Sequence, residues 1–193
     1  MDIYLLDQIL KGRFSSEIHI LDAGCGEGRN THYFVKNRYS IVGIDKDPAA
    51  IQMARVYARS LDPSFDPERF QVCGVENIFY QDEVFDLVIS SAVLHFAEDK
   101  NHFLQMVSEM VRVLKPGGLL WIRTCTDADG NFGTFVPLRG GRATLPDGSE
   151  RFLLTKAMLA SLLERFPIAW MEPPKSVLVH GKRAMGVFLF IKH

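Results

Sequence analysis

Residues 21–30 read LDAGCGEGRN: one aspartate, then glycines at 24, 26 and 28 with nothing bulky among them. Upstream, Ile18–Ala23 (IHILDA) is an apolar, β-branched run of strand character. Downstream, Asn30–Arg38 carries a helical pattern. A glycine-rich strand-to-helix junction has two physical uses. It makes a tight turn that needs positive φ and close packing, or it lets a ligand approach the backbone. Asp45 ends a second strand, Ser40–Asp45, 21 residues after Gly24. A carboxylate at that distance is placed to accept both vicinal hydroxyls of a ribose. The spacing therefore favours a nucleoside.

A nicotinamide dinucleotide calls for G-x-G-x-x-G, and the position of its third glycine holds Arg29, the glycine lying instead at 28. Asp22, Glu27 and Asp45 also make the loop acidic, which suits a pyrophosphate poorly. A nucleoside without phosphates and with positive charge fits better, and S-adenosylmethionine is one. Four segments, LDAGCGEG (21–28), GIDKDP (43–48), FDLVISSAVLH (85–95) and VLKPGGLLWI (113–122), come in a specific order and spacing. With them the chain resembles the class I S-adenosylmethionine-dependent methyltransferases of the small-molecule type, from about Ile18 through Arg123 and more loosely beyond.

The resemblance implies roles at individual positions. Asp22 and the loop glycines Gly24, Gly26 and Gly28 hold the methionine ammonium and the cofactor backbone. Asp45 binds the ribose, Lys46 covers one face of the adenine, and Val75 and Glu76 meet its edge. Ser90 and Ser91 fall near the donor methyl group. At Gly74 the family often carries an aspartate for the adenine amino group, so here that contact has to come from Glu76, backbone or water.

Strand and helix patterns alternate through the first two-thirds of the chain. Asp47-Pro48 starts a helix with Ile51, Ala54, Ala58 and Leu61 on one face, and Phe70–Cys73 and Phe85–Ser90 are further strands. A long helix from about Asp99 stops at Lys115-Pro116-Gly117-Gly118, a turn by its chemistry, ahead of strand Leu119–Thr124. Thr155 caps a later helix, and Ile168–Glu172 and Arg183–Ile191 form a terminal pair. The expected fold is α/β, Rossmann-like and doubly wound, with a mostly parallel seven-stranded sheet and an antiparallel C-terminal strand pair. Residues 1–193 read as one methyltransferase domain: an N-terminal helix (1–17), a cofactor-binding core (18–124), a candidate acceptor loop (125–154), and a C-terminal helix with the strand pair (155–193).

The acceptor is less constrained. Neither Asn-Pro-Pro-Tyr nor Asp-Pro-Pro-Tyr follows the fourth strand, where nucleobase amine methylases usually carry one; Ser90-Ser91-Ala92-Val93 stands there. Net charge is −1 over 193 residues, and no field favours nucleic acid or an anionic membrane. A small-molecule methyl acceptor is expected, with no nucleic-acid or membrane partner; the sequence sets no oligomeric state. His95 is the candidate general base, or a packing histidine that leads a helix. Arg123 is the candidate holder of an anionic acceptor, or half of a structural ion pair. The 125–154 loop is an acceptor lid, with Phe132, Phe135, Arg139 and Arg142 as its working side chains, or a solvated excursion. Cys125 faces the crevice or is buried as a small apolar residue.

Three widely spaced cysteines without a CxxC pair indicate reduced thiols and a cytoplasmic protein, and no metal set is expected. The N-terminus lacks the features of a signal peptide. Two other functions share these features: a non-catalytic nucleoside-binding module and an NAD-dependent oxidoreductase, the latter disfavoured by Arg29.

Overall fold

The computed structural model describes residues 1–127, 135–180 and 182–193. Its helices are α1 (Ile3–Leu10), α2 (Thr31–Lys36), α3 (Pro48–Leu61), α4 (Lys100–Val113) and α5 (Lys156–Arg165). Its strands begin with β1 (His19–Ala23), β2 (Ser40–Asp45), β3 (Phe70–Val72), β4 (Phe85–Ser91) and β5 (Leu114–Thr126). They continue with β6 (Val136–Pro137), β7 (Arg142–Thr144), β8 (Glu150–Phe152), β9 (Ile168–Trp170), β10 (Lys175–Val179) and β11 (Arg183–Lys192). The main sheet runs β10-β11-β5-β4-β1-β2-β3, parallel from β5 to β3 and antiparallel at β11 and β10. Strand order reverses at β1, flanked by β2 and β4, which opens a crevice at their C-terminal ends.

The layering follows from the period-2 alternation of each strand. Ile20, Ile41, Leu87, Ile89 and Trp121 pack with Leu5, Phe34, Ile51 and Ala54 of α1, α2 and α3. Their sequence neighbours Leu21, Val88, Leu120 and Ile122 pack on the other face with Phe103 and Met110 of α4 and Leu162 of α5. Each such side chain contributes about 1.5–3 kcal/mol on burial. Side-chain caps set the helix starts: Asp47, Asp99 and Thr155 accept from the backbone N–H of Ala49 (2.9 Å), His102 (2.8 Å) and Met158 (3.1 Å).

Three elements differ from the sequence expectation. Lys115–Gly118 lies within β5 as a bulge opposite Phe85–Leu87, with Gly117 at φ +78°, instead of ending the strand pairing as a turn. The terminal pair is a trio, because the edge strand is split: β9 and β10 both pair with β11, and Pro173-Pro174, which have no N–H to give, interrupt them. The described residues 135–154, expected to be irregular, carry short strands. Strands β6, β7 and β8 form a second sheet, and Ala143 of β7, with Leu145 and Leu153 next to the strands, closes a small core with Cys125 and Met185. Phe152 stacks on Phe103 at 4.9 Å and ties this sheet to α4. Strands of two or three residues are too short to show an alternation in sequence.

Helix α1 docks on the sheet edge through one carboxylate. Glu172 accepts from Gln8 Nε2 (2.9 Å), Lys11 Nζ (3.1 Å), Arg13 Nη2 (3.2 Å) and Lys175 Nζ. Its burial raises the pKa, but Lys175 and Lys11 outweigh that and hold it down at about 2. Among the described residues no helix is long and apolar enough to cross a membrane.

Candidate active site

A cavity of about 510 Å³ opens where β1, β2 and β4 end. The glycine loop supplies Gly24, Cys25, Gly26, Glu27, Arg29 and Asn30, and β2 supplies Asp45 followed by Lys46. Val75 and Glu76 follow β3, and Ser91, Ala92, Val93 and Phe96 follow β4. His102 and Met106 of α4 complete the wall.

Two of the loop glycines are explained by what surrounds them. A Cβ on Gly24 would stand 2.3 Å from Val93 Cγ2, so only glycine lets the loop pass that wall. Gly26, at φ +54°, has open space where its Cβ would be, and its N–H donates to Asp45 Oδ2 at 2.9 Å. Asp45 Oδ1 accepts from the Asp47 N–H at 2.9 Å, so the carboxylate is fixed at the cavity wall from both sides. Gly28 does not line the cavity; it shapes the entry to α2, where its carbonyl accepts from Thr31 Oγ1 at 2.8 Å.

Asp22 is the outstanding electrostatic feature. It is 1% exposed, and neither carboxylate oxygen has a hydrogen-bond donor among the described residues. Burial, then the charge of Asp45, raises its pKa to about 7, and Arg29 offsets this only partly. A buried carboxylate left in this condition is costly unless a cation comes to it. Burial and the same two acids push the Cys25 thiol far up, which leaves it an unreactive wall group.

The adenine edge expected around Val75 and Glu76 has its own arrangement. A Cβ on Gly74 would lie 2.4 Å from Glu76 Oε1 and 2.8 Å from Oε2, so the Glu76 carboxylate fills the space of the missing side chain. His102 Nε2 stands 3.7 Å from Glu76 Oε2, and His102 Nδ1 takes the Glu98 N–H at 3.3 Å, which leaves the proton on Nε2 facing the carboxylate. His102 and Met106 were not among the expected site residues. Their signal in the sequence is that α4 begins just after the crevice-lining turn, with these two residues one helical turn apart.

Other expected site residues lie elsewhere. Ser90 is fully buried outside the lining, and its neighbour Ser91 takes the place at the wall. His95, the expected general base, is buried behind the wall with Nδ1 3.5 Å from Cys125 Sγ. Desolvation, then the charges of Arg151 and Arg183, lower its pKa to about 3, which makes it a poor proton acceptor near neutrality. Arg123 does not reach the lining either. Its Nη1 pairs with the buried carboxylate of Asp2, and its guanidinium lies 5.9 Å from the Tyr4 ring centroid. The ion pair anticipated as its alternative exists, with the partner on the N-terminal segment. The Asp2 N–H in turn donates to Asn30 Oδ1 at 2.9 Å, so that segment is tied to the cavity wall. Cys125 is wholly buried. In the 125–154 segment Arg142 pairs with Glu150 at 3.3 Å, Phe135 packs on the small core, Arg139 is exposed, and Phe132 lies outside the described residues.

Comparison with known proteins matches the chain to a family. The profile of the family described as "Methyltransferase domain" covers residues 14–149. Over 130 residues the chain is 34% identical to a mitochondrial ubiquinone biosynthesis O-methyltransferase of Rattus norvegicus, covering 63% of this chain and 36% of that one. Over 107 residues it is 32% identical to a ubiquinone biosynthesis O-methyltransferase of Chelativorans sp. (strain BNC1), covering 55% and 40%. The chain thus spans less than half the length of these curated relatives. Among solved structures, a protein from Methanosarcina mazei titled as a SAM-dependent methyltransferase superposes with a TM-score of 0.75 at 24% identity, over 95% of this chain and 96% of that one. The PH0226 protein of Pyrococcus horikoshii OT3 superposes with a TM-score of 0.76 at 18% identity, over 99% and 89%.

The fold and the crevice are those of a class I methyltransferase. The chain belongs to the methyltransferase-domain family, whose methyl donor in this class is S-adenosylmethionine.

Proposed function

We propose that this protein transfers a methyl group from S-adenosylmethionine to an oxygen of a small molecule. The observation that carries the proposal is the buried Asp22 carboxylate, without a hydrogen-bond donor among the described residues and set just behind the cavity wall, two residues before Gly24, with Asp45 in the wall itself. These residues fit the donor's charge: an ammonium gives Asp22 the cation it lacks, and no phosphate has to face the acids. When bound, S-adenosylmethionine would supply a methyl group on a sulfonium sulfur, which would keep the carbon–sulfur bond pair as a thioether while a lone pair of the acceptor oxygen takes the carbon and the hydroxyl proton leaves to water.

The chain's own residues bind and orient. Asp22 balances the ammonium, directly or through water, and Asp45, held by the Gly26 and Asp47 amides, accepts from the ribose hydroxyls. Gly24 and Gly26 let the backbone come close, while Gly28 shapes the turn behind them. Lys46 lays its stem along the adenine, Val75 flanks it, and Glu76, positioned by His102, takes its amino group. Ser91 and Ala92 stand toward the methyl group, with Ser90 and His95 packed behind them. Positioning of this kind can account for roughly 7–11 kcal/mol of a transfer barrier. The oxygen acceptor is supported by the curated relatives named O-methyltransferases. The three free thiols suit a reducing compartment, and we place the protein in the cytoplasm on that basis.

Calorimetric titration with S-adenosylmethionine, S-adenosylhomocysteine and NAD tests the donor. Both adenosyl ligands are expected to bind, and binding of NAD alone overturns the reading. Asp45→Asn keeps the residue's size but loses the charge. Its affinity for S-adenosylmethionine is expected to fall by about 1–3 kcal/mol, and unchanged affinity removes the ribose assignment.

A further inference from the structure

Behind the cavity wall the fold gathers three soft donors that are far apart in sequence. Cys125, near the end of β5, and Met185, near the start of β11, are register partners, and His95 comes from the turn Leu94–Phe96 after β4. Cys125 Sγ stands 3.5 Å from His95 Nδ1 and 3.4 Å from Met185 Sδ. Cys125, His95 and Met185 are 0%, 5% and 4% exposed, and none of them lines the cavity. The two sulfurs belong to the small core that Ala143, Leu145 and Leu153 close.

These separations are those of atoms that share one ion. Bonds of about 2.3 Å to sulfur and about 2.0 Å to imidazole nitrogen, at angles between about 95° and 120°, put neighbouring donors roughly 3.2–4.0 Å apart. Among the described residues no three His, Cys, Asp or Glu side chains could hold a metal. The third donor here is instead a thioether, and a thioether beside a thiolate selects a soft ion such as Cu(I).

Charge makes the same selection. Arg183, Arg151 and Arg123 act on Cys125 against one acid, Asp147, so its surroundings are positive. A singly charged ion that displaces the thiol proton leaves the charge of the cluster unchanged. A doubly charged ion adds a positive charge to a dry core that already faces arginines. His95 is uncharged there and offers a lone pair at Nδ1 when its ring proton sits on Nε2. A narrow cleft lined by Phe135, Leu145 and Leu153 reaches Thr126 and Ala184, the chain neighbours of the two sulfur residues, and gives the ion a way in.

We propose that Cys125, His95 and Met185 form a binding site for one soft monovalent cation of the Cu(I) class. On binding, the Cys125 S–H bond breaks, its electron pair makes the copper–sulfur bond and the proton leaves to solvent. Nδ1 and Sδ each give a lone pair, and nothing is oxidised or reduced. Because Phe96 follows His95 and lines the cavity, the ion ties that wall to β5 and β11.

Anaerobic titration of the full chain with Cu(I) held by a coloured Cu(I) chelator tests the site. The protein is expected to withdraw one equivalent, and X-ray absorption at that copper is expected to show two sulfur ligands and one nitrogen. Cys125→Ser loses the equivalent, Met185→Leu and His95→Gln each weaken it at least tenfold, and Cys73→Ser leaves it in place. Excess Zn(II) does not displace it. Met185→Leu conserves volume, so it decides the matter if the serine variant does not fold. Failure to withdraw copper, uptake that survives Cys125→Ser or is unchanged in Met185→Leu, loss of uptake in Cys73→Ser, displacement by Zn(II), or a copper without a nitrogen ligand overturns the proposal.

Discussion

Asp22 illustrates a residue whose stability cost points to its function. The folded chain keeps this carboxyl protonated up to about pH 7, whereas its ordinary pKa is 3.8. A group raised in this way contributes stability below its unfolded pKa and loses that contribution as pH rises through the folded one. At neutral pH Asp22 is therefore a liability in the ligand-free protein. Asp22→Asn is expected to raise the melting temperature at pH 7.5 while reducing S-adenosylmethionine affinity at least tenfold. Calorimetry and thermal melting together check this, and a variant that loses both stability and binding would make Asp22 a structural residue. At the same scale the sequence made Asp22 and Asp45 legible, because each ends an apolar strand beside glycine or an N-cap. His102 was not legible, because its partner Glu76 is 26 residues away and meets it only in the fold.

At the scale of elements, the N-terminal segment is fastened at both ends. Asp2 lies under Arg123 near the cavity, and Glu172 gathers Gln8, Lys11 and Arg13 at the sheet edge. Arg123→Ala leaves the Asp2 carboxylate buried without its cation, an expected loss of about 3 kcal/mol. Denaturant unfolding checks the magnitude, hydrogen exchange should show α1 loosened first, and Asp2→Asn in the same background should recover most of the loss. If Arg123 instead held the acceptor, stability would hold and only acceptor binding would fall. Local chemistry made α3, α4 and α5 readable, since each starts at a capping side chain. The β6–β8 sheet and β10 were not, because strands this short owe their form to pairing partners elsewhere in the chain.

Across the whole molecule two buried groups titrate against each other. His95 is held neutral to about pH 3, against an ordinary 6.5, so its contribution is present above 6.5 and is lost as pH falls toward 3. Asp22 acts in the opposite sense between 3.8 and about 7. In the overlapping window, each contributes a slope of about 1.4 kcal/mol per pH unit, with opposite signs, and the pair cancels. The folded protein should show a nearly flat stability profile between pH 4.5 and 6. His95→Gln should then lose stability as pH rises through this window, and Asp22→Asn should gain it. Urea unfolding at half-unit pH steps measures both slopes.

The double proline in the edge strand has a consequence for how the protein behaves in a crowded solution. Segments 168–170 and 175–179 pair with β11 along one line, and among the described residues their outer rim faces no other strand. An uninterrupted rim of that length would present a continuous row of free amides to any passing extended chain. Pro173-Pro174 break the row into two short pieces, and Lys175 places a charge at the break. The interruption that hid β10 from the sequence pattern also limits templated strand addition, so replacing both prolines with threonine should make the protein more prone to aggregate without touching the crevice.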